Sequence, residues 1–187
     1  MSQKKQIRNV LFCILQDSKQ PKNNINESLY DAQKLICSNT DPSVVYEKAF
    51  VYGADQFMNF RTVENSVIKF IRYSADSTDE YAMANCVLTG MNLLKEKHLL
   101  DRKQGFESLM YMVFMTNLEI IAPIQDNCIE GILSFFQDTD INPMVIMENE
   151  KGCSALIHYT ILKGGKYYTM EQFRLLTMEA SDFGQLF

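Results

Sequence analysis

Apolar residues recur along this chain at three- and four-residue intervals, with polar clusters marking where one run stops and the next begins. Over residues 3–17, Ile7, Val10, Leu11, Ile14 and Leu15 fall on one helical stripe behind Ser2 as an N-cap, which predicts an amphipathic helix. The connector SKQPKNN leads to a second helix capped by Asn26, with Leu29, Ala32, Leu35 and Ile36 inward. Asp41 followed by Pro42 marks a third start, because a proline in the first helical turn has no missing bond to regret; that helix is expected to end at Gly53. Thr62 with Val67, Ile68, Phe70 and Ile71 suggests a fourth. Thr78 or Asp79 caps a fifth that carries Ala82, Val87, Leu88, Met91 and Leu94.

Asp101 opens a sixth helix in which FESLMYMVFM is apolar on nearly every side, as a central, covered helix would be. The unbroken run Leu109–Met115 also suits a buried strand, the rival reading for that segment. Pro123 begins a further helix with Ile124, Cys128, Ile132, Leu133 and Phe136 inward, and Asn142–Pro143 repeats the cap-then-proline start. Ser154 caps a helix along Ala155, Leu156, Tyr159, Ile161 and Leu162. Gly164 is its left-handed terminator. Thr169 and Gln172 form a capping box for the last helix, and 182–187 reads as a flexible tail.

The fold class expected from this pattern is all-α, a single domain over 1–187 with about nine short helices. Starts about 20 residues apart suggest helix pairs, stacked as in armadillo or HEAT arrays or closed into a compact bundle. The segment DSTDEYAMANCVLTGMNLL (76–94) resembles the second-to-third helix passage of an armadillo repeat, and GCSALIHYTILKGG is similar to the first helix of an ankyrin unit without its threonine-proline entry. Neither resemblance identifies a family.

Composition narrows the picture. Only 8 Gly and 4 Pro are too few for an all-β chain with regular turns, and 11 Met, 12 Phe and 9 Tyr without Trp point to a core of long side chains. A net charge of −5 argues against a general nucleic-acid binder. Residues 1–22 run the other way, with Lys4, Lys5, Arg8, Lys19 and Lys22 against Asp17 alone, a basic face or simply a solvated helix. Five cysteines at 13, 37, 86, 128 and 153, with no CxxC pair, read as reduced intracellular thiols. The apolar run VLFCIL is too short for a secretory leader, and no stretch approaches the roughly 20 apolar residues of a membrane span, so a soluble cytoplasmic or nuclear protein is expected.

Candidate chemistry is thin. Cys153 and His158, five apart on a helix, sit about 140° apart around its axis, too far to work as a local dyad. KGGK lacks the earlier glycine and the following Ser or Thr of a phosphate loop; Asp182-Phe183-Gly184 spells the kinase magnesium triplet without any other kinase element. No catalytic residue, metal or cofactor is therefore expected. The function expected is a non-enzymatic protein-interaction or scaffolding module that presents an adaptable apolar face to a partner helix or peptide. Met110, Met112, Met115, Met144 and Met147 would line that face, with Leu186 and Phe187 as a terminal docking peptide. Two alternatives stand beside it. One is a compact helical regulator, viral or pathogen-encoded, that sequesters a host protein. The other is an RNA-contacting subunit using the basic residues of 1–22, whose binding would weaken as salt rises.

Overall fold

The computed structural model describes residues 5–15, 23–38, 41, 43–52, 69–71, 82–116, 139–148 and 154–187. It is built on a parallel sheet, not on stacked helices. The described elements are β1 (Gln6–Leu15), α1 (Asn23–Cys37), β2 (Val44–Tyr52), β3 (Lys69–Ile71), α2 (Ala82–Lys103), β4 (Glu107–Thr116), β5 (Ile141–Met147), α3 (Ser154–Leu162), β6 (Lys166–Thr169) and α4 (Met170–Glu179), then a 3₁₀ turn over Phe183–Leu186. The strands run in the order β3-β2-β1-β4-β5-β6, and every pairing is parallel. The expected all-α chain of about nine helices, whether an armadillo- or HEAT-like array or a bundle, is thus overturned.

The physical reason lies in how a two-sided sheet reads in sequence. A parallel strand covered on both faces needs apolar side chains at nearly every position, so it loses the alternation that marks a half-exposed strand. In β1 the run Val10–Ile14 is buried throughout, and in β4 so is the run Met110–Met115. A continuous run fits a helical stripe as easily as a strand. The expected helix over 3–17 is β1, and the one from Asp41 to Tyr52 is β2, entered by a turn. There the Ser43 amide and hydroxyl both donate to Asp41 Oδ1, at 2.8 and 2.6 Å. Lys69–Ile71 of the expected fourth helix is strand β3, and the rest of that helix, like the one from Pro123 to Phe136, lies outside the described residues. Asp101 does not open a helix but sits in the last turn of α2, and the rival strand reading holds for Leu109–Met115. Asn142–Pro143 falls inside β5.

Helices with one apolar stripe behave as their spacing requires. α1 buries Ile25, Leu29, Ala32, Leu35 and Ile36, with Ser28 among them, and exposes Asn24, Asn26, Glu27 and Lys34. α4 starts at Thr169, whose side chain accepts from the Gln172 amide while Gln172 caps the Thr169 N–H. α3 ends before Gly164, which takes φ 70° as an αL terminator does. Its neighbour Gly165 is required for another reason: a Cβ there would run into the Pro143 carbonyl oxygen and the Thr160 methyl, so only glycine lets β6 start against β5.

Two layers of helix cover the sheet. On one face Val10, Phe12 and Ile14 of β1, Tyr111, Val113 and Met115 of β4, and Met144 and Ile146 of β5 pack under α1, α4 and the C-terminal segment. On the other face α2 lies on β1 and β4, while α3 packs over β5 and β6. The segment 182–187, expected as a flexible tail, closes the first layer. Phe183 and Leu186 are buried, the Phe183 ring meets Phe12 edge-on at 6.0 Å, and Tyr168 Oη donates to the Leu186 carbonyl at 2.9 Å.

Candidate functional site

The strand order reverses its direction of growth between β1 and β4. Open α/β sheets with this order bind ligands at the carboxyl ends of their strands, near that switch. The elements that gather at this edge can be traced through named bonds. The Glu148 amide, just past β5, donates to the Thr116 carbonyl at the end of β4 at 3.0 Å. The Glu148 carboxylate then accepts from Asn24 Nδ2 in the first turn of α1 at 2.8 Å. α4 begins directly at the end of β6, so its first turn reaches the same edge.

Between the first halves of α1 and α4 lies a cleft of about 310 Å³, lined by Asn24, Glu27, Ser28, Asp31, Met170, Glu171 and Arg174. Four of these stand at i, i+3, i+4 and i+7 on α1, one polar stripe beside the apolar one. Met170 is buried at the base. Glu27 and Asp31 line the α1 wall, and Glu171 and Arg174, one turn apart, line the α4 wall. Arg174 Nη1 stands 3.7 Å from Glu27 Oε2, with both side chains more than half exposed, a loose surface pair of little energetic weight.

The residues singled out from sequence are dispersed by this architecture. Met110, Met112, Met115, Met144 and Met147 are buried within the two core layers, so they fill the interior and line no surface groove. Leu186 is buried as well, and the Phe187 ring rests on Tyr111 at 4.4 Å and on Phe183 at 5.6 Å, so the terminal pair docks on its own chain. Lys5 is exposed ahead of β1. Arg8 points into the layer under the C-terminal segment, donating to Asp182 Oδ2 at 2.6 Å and to Gln6 Oε1 at 2.9 Å. Lys4, Lys19 and Lys22 lie outside the described residues, as does Cys153; His158 is exposed on α3.

A second polar group sits at the opposite, amino end of the sheet. Asn9 of β1, Asp101 of α2 and Ser108 of β4 are buried together, with Asn9 Nδ2 donating to Asp101 Oδ2 at 2.8 Å and contacting Ser108 Oγ at 3.2 Å. This group ties α2 to the two central strands and has no opening to solvent through its own side chains. Among the described residues no cluster of three or more His, Cys, Asp or Glu is placed to hold a metal ion, and no helix is long and apolar enough to cross a membrane.

The cleft was not singled out from sequence, although one signal for it was present: Asn24, Glu27, Ser28 and Asp31 repeat at helical spacing on a helix whose apolar face is elsewhere. What sequence lacked was the partner wall, which comes from a helix about 140 residues further on. Comparison with models of known protein families, with curated proteins and with solved structures gives no match.

Proposed function

We propose that this chain is a non-enzymatic binding module that holds part of a partner protein at the carboxyl edge of its sheet, in the cleft between α1 and α4. The observation that carries this reading is the position of the cleft. It stands where the first turns of two helices meet at the strand ends, the place where sheets of this strand order bind ligands. Its size supports a small occupant, such as one side chain and its flanking backbone, because about 310 Å³ is at the low end of the range for small-molecule sites. The interaction-module reading thus moves from the methionines to a polar cleft. An intracellular setting, cytoplasmic or nuclear, belongs to the same proposal. Its support is the set of five cysteines without a pairing pattern, of which Cys13 and Cys37 are free thiols.

The experiment is a fragment titration followed by amide nuclear magnetic resonance, using acetate, phosphate, phenol, alkylammonium and guanidinium probes. The reading expects saturable shifts concentrated in residues 24–31 and 170–174. Saturable shifts elsewhere with none in these two segments would refute it.

A further inference from the structure

We propose that residues 181–187 form an exchangeable arm, and that the groove beneath them takes the same arm from a second copy of this chain. The anchor residues of that groove, Arg8, Phe12, Tyr111 and Tyr168, are not among those lining the cleft between α1 and α4, so the two sites are tested separately. The arm is shaped by its own bonds. The Ser181 amide donates to Gln185 Oε1 at 3.1 Å, Gln185 Nε2 donates to Ser181 Oγ at 3.2 Å, and the Gln185 amide donates to the Asp182 carbonyl at 3.1 Å. A turn closed on itself keeps its form when it moves as a unit.

The arm's anchors are set into strands far away in sequence. Phe183 and Leu186, three residues apart, are both buried; the Phe183 ring meets Phe12 of β1, and the Phe187 ring lies on Tyr111 of β4. Tyr168 of β6 captures the Leu186 carbonyl, and Arg8 Nη1 donates to Asp182 Oδ2 at 2.6 Å with the two side chains only 15% and 23% exposed. Gly184 runs flush against that guanidinium, since a Cβ there would collide with it. Aromatic and aliphatic anchors, one main-chain carbonyl and one charge clamp are how a groove holds a peptide. α4 hands over to the arm at Ala180, which is extended at φ −74° and ψ 142°. Ala180 is half-buried and Ser181 exposed, so rotation there swings the arm out without unwinding the helix. The occupant that reproduces each of these contacts is the identical segment of another copy, and reciprocal exchange gives a two-fold dimer with both grooves filled as they are here.

The test is charge-swap complementation between two full-length variants, Arg8→Asp and Asp182→Arg. Each variant alone sets like charges against each other under its own arm and should melt below the parent chain. In an exchanged pair of the two, both grooves regain opposite charges. Equal amounts annealed together from urea should therefore give a species of twice the chain mass by light scattering, with its melting midpoint back near that of the parent. Dimer should exceed that of either variant alone by about 10-fold, because matched bonds replace like-charge contacts in two grooves at once. If a variant is unfolded by itself, the mixture still decides: exchange predicts a folded dimer on co-refolding, and its failure overturns the proposal. A mixture that stays monomeric and melts as its two components do overturns it as well, as does a dimer equally abundant in Arg8→Asp alone. The peptide acetyl-SDFGQLF, residues 181–187, is added to Asp182→Arg as the other possible occupant. Peptide binding there without any dimer in the mixture would assign the groove to another protein's segment and overturn exchange.

Discussion

Replacing Asn9 by leucine tests the architecture at its centre. Asn9 sits on β1 with no solvent exposure, and its amide donates to the carboxylate of Asp101, itself 1% exposed. A hydrogen bond to a charged group contributes about 1.5–3 kcal/mol, and leucine cannot replace it. Part of that loss is returned, because Asn9 Oδ1 has no partner among the described residues, and removing a buried unpaired acceptor gives back about 1 kcal/mol. The net expectation for Asn9→Leu is a loss of about 1 kcal/mol. With a urea m-value of about 2 kcal/mol/M, that lowers the unfolding midpoint by about 0.5 M. The control is the same substitution in an Asp101→Asn background. Without a carboxylate to satisfy, Asn9→Leu should cost less than half as much there, and the difference measures the coupling. On a solvated helix face, where the sequence pattern put this residue, the change would be neutral. An unchanged or raised midpoint for Asn9→Leu alone would refute the reasoning.

Three further outcomes follow from packing and titration. Phe183→Ala should lower stability by about 3–5 kcal/mol in a urea melt, because its ring is buried against Phe12; a frayed tail would show no change. Gly165→Ala should cost about 2–3 kcal/mol by the same measurement, since the new methyl meets the Pro143 carbonyl; Gly105→Ala, with open space around it, should lack that clash and cost only the strain of its positive φ. Burial pushes the Tyr111 and Tyr168 phenols above their ordinary range, with the Asp182 carboxylate adding to the rise at Tyr111 and Arg8 opposing it. Both phenols are neutral in the fold, so their contribution is complete below the unfolded value near 10 and is lost as pH rises through the higher folded values. Tyrosinate absorbance at 295 nm should therefore show a late-ionising fraction of the 9 tyrosines that disappears in urea, and stability should decline above about pH 10.

Sequence carried the helices better than the sheet, and the difference is physical. α1 and α4 each bury one stripe and solvate the rest, so Leu29, Ala32, Leu35 and Ile36, and the Thr169–Gln172 box, signal both element and orientation. β1, β4 and β5 are covered on both sides, and no polar residue breaks Val10–Ile14 or Met110–Met115 into an alternation. Methionine deepened the confusion. It favours neither strand nor exposed face, and five of these residues that suggested an adaptable groove are the filling between sheet and helices. The candidate cleft was half legible, as a polar stripe on α1. Its other wall depends on β6 pairing beside β5 and returning α4 over the same face, which no local pattern encodes.

The parallel sheet centred on β1 decides where every residue discussed here stands, and isotope-edited nuclear Overhauser spectroscopy addresses it directly. The account expects cross-strand contacts in register between β1 and β4, Leu11 with Met112 and Cys13 with Phe114, and between β1 and β2, Val10 with Ala49. Contacts of the i to i+3 type running through residues 6–15 and 107–116, with no cross-strand set, would contradict it.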